Sequence, residues 1–357
     1  MPAASSSVAE QARPVTAAIV GVAGPSLGAE ERRLIQAGNP WGFILFGRNC
    51  ADPDQVRVLV ADLRASVGRP GAPVLIDQEG GRVARLGPPY WPPRPPARRL
   101  GMLAERDRNA GHEAAWLHAR LIAADLVPLG ISIDCAPVLD LALPGRTKAI
   151  GDRALAADPR LVALLGQAMI EGFLAGGILP VLKHLPGHGR ARRDSHLGLP
   201  IVAAAAADMA GADWMPFCAC CSVPLAMTAH VLYPALDPAR PATLSPRIIA
   251  EVIRGEIGFQ GALLSDDLSM GALRGSLAER TAAARAAGCD LALHCNGKLA
   301  EIAEVLAAAG PLAGESAARA GAALAWARPP EDFDAPAGEA RLARLLSAVE
   351  ATAQAGA

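Results

Sequence analysis

The sequence is poor in aromatic residues: Phe, Trp and Tyr together make up 4% of 357 residues. A core of ordinary size must then be built from Ala, Leu, Val and Ile, and a hydrophobic content of 52% supplies enough of them. There is no charge excess. Thirty-four basic and 35 acidic residues leave a net charge of −1, whereas nucleic-acid binders carry a basic surplus. No long block of like charge suggests a tether to an anionic membrane. No run of about 18 apolar residues free of charges and breakers marks a membrane span. Residues 15–24 are apolar and follow Arg13, but no basic stretch precedes them, and Ser5–Ser7 and Glu10 are polar. The segment reads as a first buried strand ending in glycine rather than a signal peptide. Nor do the cysteines form a disulfide framework. Cys50, Cys135, Cys218, Cys220, Cys221, Cys289 and Cys295 are odd in number and irregular in spacing. They read as reduced, mostly buried thiols in a reducing compartment, which predicts a cytoplasmic protein. The cluster Cys218, Cys220 and Cys221 is a soft-metal candidate, but no second pair with ligand spacing accompanies it.

What the chain has is an alternation. Short apolar runs bounded by Gly, Pro or Asp predict strands at 16–22, 43–46, 73–77, 131–135, 179–182, 224–228, 261–265 and 290–294. Helical spacing lies between them, at 52–67, about 108–129, 158–176, 245–257, 276–287 and 298–309. Asp52-Pro53 and Ser245-Pro246 open two of these as a cap followed by a first-turn proline. Eight strands alternating with helices imply parallel pairing and a (β/α)8 TIM-type barrel in a single α/β domain over residues 1–310. An open doubly wound sheet is the alternative. Residues 311–357 read as a C-terminal helical extension of two helices packed on the barrel. Residues 87–99 (GPPYWPPRPPARR) are too proline-rich for a helix or a central strand and predict an ordered surface loop or polyproline stretch. No second large domain and no internal repeat is visible.

Barrels place their chemistry on the loops that follow the strands, and four polar motifs fall there. The first runs from Asp77 to Arg85 (DQEGGRVAR). Asp77 can accept from neighbouring sugar hydroxyls and Arg85 can donate to ligand oxygens; the plain alternative is a surface pair shaping a turn. The second is Gly151-Asp152-Arg153, downstream of Pro137-Val138-Leu139-Asp140, where Arg153 offers a fork-shaped donor. The third spans Lys183 to His196 (KHLPGHGRARRDSH), with Lys183 and His184 at the strand end. Asp194 and His196 stand two apart. In an extended segment they point to one side, and a carboxylate beside an imidazole favours its protonated form, which makes His196 a candidate proton carrier. A rival reading uses His184, His188 and His196 as metal ligands, without a compact ligand motif to support it. The fourth is Leu263-Leu264-Ser265-Asp266-Asp267-Leu268-Ser269-Met270, a buried strand running into two carboxylates. One can cap a helix while the other acts as a nucleophile at a sugar carbon.

At these residues the chain resembles glycoside hydrolase family 3, and within it the single-domain bacterial β-N-acetylglucosaminidases of peptidoglycan recycling. The strings IDQEGGRVARL, APVLDL, IGDR, LKHLPGHG with DSHLGLP, AMTAHVLYPALD and GFQGALLSDDLSM carry the resemblance in order over about residues 40–275. It implies that Asp266 is the nucleophile of a retaining exo-glycosidase and that His196 is the general acid/base, tuned by Asp194. It implies further that Asp77, Arg85, Arg153, Lys183 and His184 hold the N-acetylglucosamine ring. The larger two-domain members supply a glutamate acid/base from a second domain, which is not found in this sequence and which the histidine replaces. The implied substrate is a small carbohydrate, a muropeptide of the GlcNAc-anhydroMurNAc type. No cofactor, catalytic metal, nucleic acid or membrane partner is implied, and the expected state is a monomer or weak oligomer. Phosphorolysis stays open beside hydrolysis, because a neutral imidazole tolerates an anionic acceptor.

The match has departures. Arg190 follows PGHG where the family more usually has Asp, Leu185 stands for Phe, and Ala154-Leu155 replaces Ser or Ala followed by an aromatic. The run Arg190–Arg193 is unusually basic, which bears on leaving-group preference more than on chemistry. Two other function classes compete: a catalytically weak sugar-binding or regulatory barrel, and a metal-dependent hydrolase built on the histidines.

Overall fold

A computed structural model describes residues 13–145 and 147–354; the polar start of the chain, with Ser5–Ser7 and Glu10, lies outside the described residues. Among the described residues ten strands follow one another: β1 Thr16–Gly21, β2 Pro40–Leu45, β3 Val74–Ile76, β4 Ile133–Asp134, β5 Leu179–Leu185, β6 Leu225–Thr228, β7 Leu232–Tyr233, β8 Asp237–Pro241, β9 Ala262–Leu264 and β10 Ala292–His294. Eight of them form one all-parallel sheet in the order β10-β1-β2-β3-β4-β5-β6-β9. A parallel bridge between Leu264 and Leu291 joins the two ends, so the sheet closes into a barrel. That closure removes the open doubly wound alternative. β7 and β8 form a separate antiparallel ribbon beyond β6.

The strand side chains alternate between two cores. Ile19, Ile44, Leu75, Ile133, Val181, Leu225, Leu264 and Leu293 fill the lumen. Their neighbours Val20, Phe43, Val74, Leu182, Ala226 and Leu263 face the surrounding helices. Both faces of every barrel strand are thus buried, which is why each reads as a continuous apolar run. The helices start where their caps predict. Asp52 accepts from Gln55 N–H at 2.9 Å ahead of Pro53–Ser66. Ser245 Oγ accepts from Ile248 N–H at 3.1 Å ahead of Ile248–Glu256, which winds as a π-helix.

Differences from expectation have local causes. The helix Ala29–Gly38 has only Glu31 and Ile35 buried, too thin a stripe to show as periodicity. The proline-rich segment gives way to a helix at Ala97–Ala104, with Pro96 in extended backbone immediately before it. The segment is fastened to the barrel: Trp91 is buried, and Arg94 bonds to Asp125 at 2.8 Å and to Glu339 at 3.0 Å. The C-terminal extension supplies Gly314–Leu324 and Ala335–Gln354. The first of these is more than an outer layer, since Ala320 and Ala323 join the lumen core, and Ser316 and Arg319 bond to Asp290, just before β10. None of the seven cysteines forms a disulfide; Cys135, Cys220 and Cys289 are buried, three are half-buried and Cys218 is exposed. Among the described residues, no helix is long and apolar enough to cross a membrane.

Candidate active site

The C-terminal ends of the strands open on one cavity of about 320 Å³. Asp77, Arg85, Arg153, Lys183, His184, Asp194, His196 and Asp266 all line it. Residues far apart in sequence meet there because each follows, or closes, a barrel strand.

The wall after β3 is an ion network. Lys183, two residues before the end of β5 and with its side chain 2% exposed, donates to Asp77 Oδ1 at 2.9 Å and to Glu79 Oε1 at 2.6 Å. Arg85 donates to the other oxygen of Asp77 at 2.9 Å, and Arg153 grips Glu79 through two bonds of 2.8 Å. Burial pushes both carboxyls up, but the cations outweigh it. Lys183 and Arg85 hold Asp77 well below the usual carboxylate range, and Lys183 and Arg153 hold Glu79 at about 2. Burial works against the Lys183 charge too, yet the two carboxylates raise it above an ordinary lysine. The site is therefore an array of fixed charges at neutral pH. Glu79 was not singled out from sequence. It enters the network because Gly80 and Gly81 turn the chain at φ +94° and +58°. A Cβ on Gly80 would stand 2.4 Å from Pro95 O and 2.8 Å from His118 Cε1. Beneath the network Asp134 accepts from Gln78 N–H with one oxygen and leaves the other unpartnered; burial pushes it up to about 8, so it is mostly protonated at neutral pH.

The second wall centres on Asp140. One of its oxygens accepts from His184 Nδ1 at 2.7 Å, and the other from the backbone N–H of His188 at 2.5 Å. The Lys183–His184 bond is cis. With Nδ1 engaged, Nε2 of His184 is the nitrogen left for a ligand.

The third wall separates the two adjacent aspartates. Asp267 is consumed: Oδ1 accepts from Ser269 N–H at 3.0 Å and Cys295 N–H at 3.1 Å, and Oδ2 from Ser269 Oγ at 2.7 Å. Among the described residues, Asp266 accepts only from Asp267 N–H, at 2.8 Å, and it lines the cavity. Burial raises its carboxyl, but His230, His184 and the Asp267 N–H together lower it below the ordinary value. It stands as a carboxylate. His230, absent from the sequence expectations, is fully buried and bonds the Asp267 carbonyl through Nε2 at 2.9 Å and Thr243 Oγ1 through Nδ1 at 2.8 Å.

The long loop after β5 supplies the last group. Asp194 Oδ1 accepts from both the backbone N–H of His196 (2.9 Å) and its Nδ1 (2.8 Å). The pair meets through a turn, closed by Leu197 N–H on Asp194 O at 3.0 Å, and not through the extended segment expected. With Nδ1 tied, the proton His196 can exchange is on Nε2. The three-histidine metal reading finds no such geometry: among the described residues no group of three or more His, Cys, Asp and Glu side chains is placed to hold a metal ion.

Both the sequence and the fold match known proteins. Residues 15–319 match the glycosyl hydrolase family 3 N-terminal domain. The chain is 42% identical over 289 residues to a beta-hexosaminidase of Alkalilimnicola ehrlichii, covering 78% of this chain and 80% of that protein. It is 39% identical over 287 residues to a beta-hexosaminidase of Stenotrophomonas maltophilia, covering 79% and 84%. Among solved structures, NagZ from Neisseria gonorrhoeae in complex with N-trifluoroacetyl-D-glucosamine superposes with a TM-score of 0.78 at 30% identity, over 93% of this chain and 98% of that one. A family 3 β-N-acetylglucosaminidase from Paenibacillus sp. superposes with a TM-score of 0.78 at 32% identity over 92% of this chain, which spans 61% of that longer protein.

Proposed function

The chain belongs to glycosyl hydrolase family 3, and on that premise we propose that it is a retaining exo-β-N-acetylhexosaminidase that removes terminal non-reducing N-acetylglucosamine from muropeptides in the cytoplasm. The observation that carries this is the sharing of one cavity by a free carboxylate, Asp266, and a carboxylate-held imidazole, His196. A volume of about 320 Å³ is at the small end of ligand pockets and suits a single sugar ring, as exo-cleavage requires.

The chemistry follows from the groups. The Asp266 carboxylate attacks the anomeric carbon and forms a glycosyl ester as the bond to the leaving oxygen breaks. His196 gives its Nε2 proton to that oxygen, and the Asp194 carboxylate steadies the imidazolium beforehand. The neutral imidazole then takes a proton from water as the water oxygen attacks the anomeric carbon. The ester breaks, Asp266 is restored, and two inversions leave the configuration unchanged. Asp77, Arg85, Arg153, Lys183 and His184 hold the ring by its oxygens: the arginines and Lys183 donate, Asp77 accepts, and His184, whose Nδ1–H is given to Asp140, accepts from a hydroxyl at Nε2. An acidic leaving group is supported by a second cleft of about 620 Å³ beside Asp194, lined by Arg82, Lys148, Arg192 and Arg193. Seven unpaired thiols suit a reducing compartment.

The test is release of p-nitrophenol from its β-N-acetylglucosaminide by wild type, Asp266→Ala and His196→Ala. Loss of the nucleophile removes several orders of magnitude, and loss of the acid/base about 10²–10⁴-fold, with the lower figure expected for so good a leaving group. A folded wild type that releases nothing, or an Asp266→Ala protein as active as wild type, refutes the proposal.

A further inference from the structure

Among the described residues, the loop carrying Asp194 and His196 is tied by hydrogen bonds to the rest of the fold at both ends and not between them. At its start, Gly187 O accepts from Tyr233 OH at 2.8 Å, His188 N–H donates to Asp140, Arg190 pairs with Asp213 at 2.6 Å, and Ala191 O accepts from Thr147 N–H at 2.9 Å. At its end, Pro200 O accepts from Leu232 N–H at 2.9 Å and Val202 N–H donates to Leu232 O at 2.9 Å. Residues 192–199 lie between these anchors. Among the described residues, every hydrogen bond they make is internal: Arg193 to Leu197 O, His196 to Asp194, and Leu197 N–H to Asp194 O. No polar bond to the barrel thus fixes where His196 stands.

Ser195 is buried within the segment, and a close backbone contact stands beside it. The His196 carbonyl rests against Gly271, five residues beyond Asp266 on the loop after β9. A Cβ at position 271 would lie 2.7 Å from His196 O, 3.6 Å from His196 C and 3.9 Å from Gly198 N. The nearest atom is backbone, so no side-chain rotation relieves the approach; the two loops must part. A cleft of about 640 Å³ adjoins the contact, lined by Gly198, Ile201, Arg240 and Gly271 among others. The 192–199 segment therefore has room to give way, while the loop after β9 is held by Arg280 Nη1 on Leu268 O at 3.0 Å and Met270 O at 3.3 Å.

We infer that Gly271 is a positioning residue for the acid/base: its missing side chain is the seat on which the 192–199 segment rests, and it sets the distance from His196 to the leaving oxygen. The inference rests on the assignment of His196 above. Added bulk at this seat leaves Asp266 and the sugar-holding network in place and moves only the proton donor. Its signature is dependence on the leaving group. A 2,4-dinitrophenolate departs without a proton, whereas a sugar alkoxide needs one.

The experiment compares kcat/KM for wild type and Gly271→Ala on the 2,4-dinitrophenyl β-N-acetylglucosaminide and on a GlcNAc-containing disaccharide. Thermal melting first establishes that both proteins are folded. The expected result is a change within about threefold on the dinitrophenyl substrate and a loss of about tenfold or more on the disaccharide. An equal loss on both substrates, or no loss on either, overturns the inference. If wild type cleaves neither, the functional reading has failed, and trypsin decides the seat independently. Cleavage after Arg192 and Arg193 then runs faster in Gly271→Ala if the segment has lost its support, and an unchanged rate overturns the inference.

Discussion

Replacing Lys183 with methionine tests whether the ion network is structural as well as ligand-facing. Methionine keeps much of the volume and removes the charge. Lys183 is 2% exposed and bridges Asp77 and Glu79 at 2.9 and 2.6 Å, so two buried carboxylates lose a shared partner. Breaking a buried ion pair costs about 3–5 kcal/mol. Arg85 still holds Asp77 and Arg153 still grips Glu79 at both oxygens, which argues for the lower end, about 3 kcal/mol. At about 2 °C per kcal/mol for a chain of this size the melting point falls by about 6 °C at pH 8. The pH dependence is the sharper test. In the wild type Glu79 titrates at about 2, below its ordinary value, so the stability it contributes is present above that ordinary value and is lost as pH falls through about 2. In Lys183→Met the largest attraction opposing burial is gone for both carboxyls. Their proton affinities rise, the native state takes up protons more readily, and the deficit against wild type narrows from pH 8 to pH 5. Melting curves of both proteins at the two pH values make the measurement. A drop under about 2 °C at pH 8, or a deficit that widens toward pH 5, refutes the reasoning.

Gly80→Ala adds a Cβ 2.4 Å from Pro95 O at φ +94°, and should lower stability by about 2 kcal/mol or more while detaching Glu79 from Arg153; differential scanning calorimetry reads the first and loss of binding of N-acetylglucosamine reads the second. Asp267→Ala removes the acceptor for two backbone N–H groups and the Ser269 hydroxyl, so its melting point falls by the equivalent of about 1–3 kcal/mol. It should nevertheless retain far more p-nitrophenyl N-acetylglucosaminide activity than Asp266→Ala, and the reverse order of activities would reassign the nucleophile.

The barrel was legible because it is built from its least ambiguous element. A parallel strand covered on both faces has no polar side to show, so runs such as FILF before Gly47 and PVLI before Asp77 stand out against the amphipathic helices between them. Elements held by a few tertiary contacts did not stand out. The ribbon Leu232–Tyr233 with Asp237–Pro241 has only two paired positions, and the helix Ala97–Ala104 begins directly after a proline run that masks its start. The role of Gly314–Leu324 in the lumen was equally hidden, since the two residues it buries there are alanines, indistinguishable in sequence from the many alanines on outer faces.

The site residues divide along a similar line. Asp77, Lys183, His184 and Asp266 sit at strand ends, where the barrel fixes their direction, and sequence position alone carries them to the cavity. Glu79, two residues past Asp77, and His196, eleven residues past the end of β5, depend on backbone turns, and only the conformation tells which way they face. For Glu79 two glycines at positive φ aim the side chain back at Arg153. For His196 one carboxylate oxygen takes both its N–H and its ring nitrogen, so backbone and imidazole are oriented by the same atom. The adjacent aspartates make the point most sharply, because composition and spacing treat Asp266 and Asp267 alike. What separates them is that Ser269 and Cys295 have already filled the oxygens of the second. In the proposed mechanism, reactivity at this position is decided by which carboxylate the surrounding backbone leaves unspent, a property that belongs to the fold around SDDLS and not to the letters themselves.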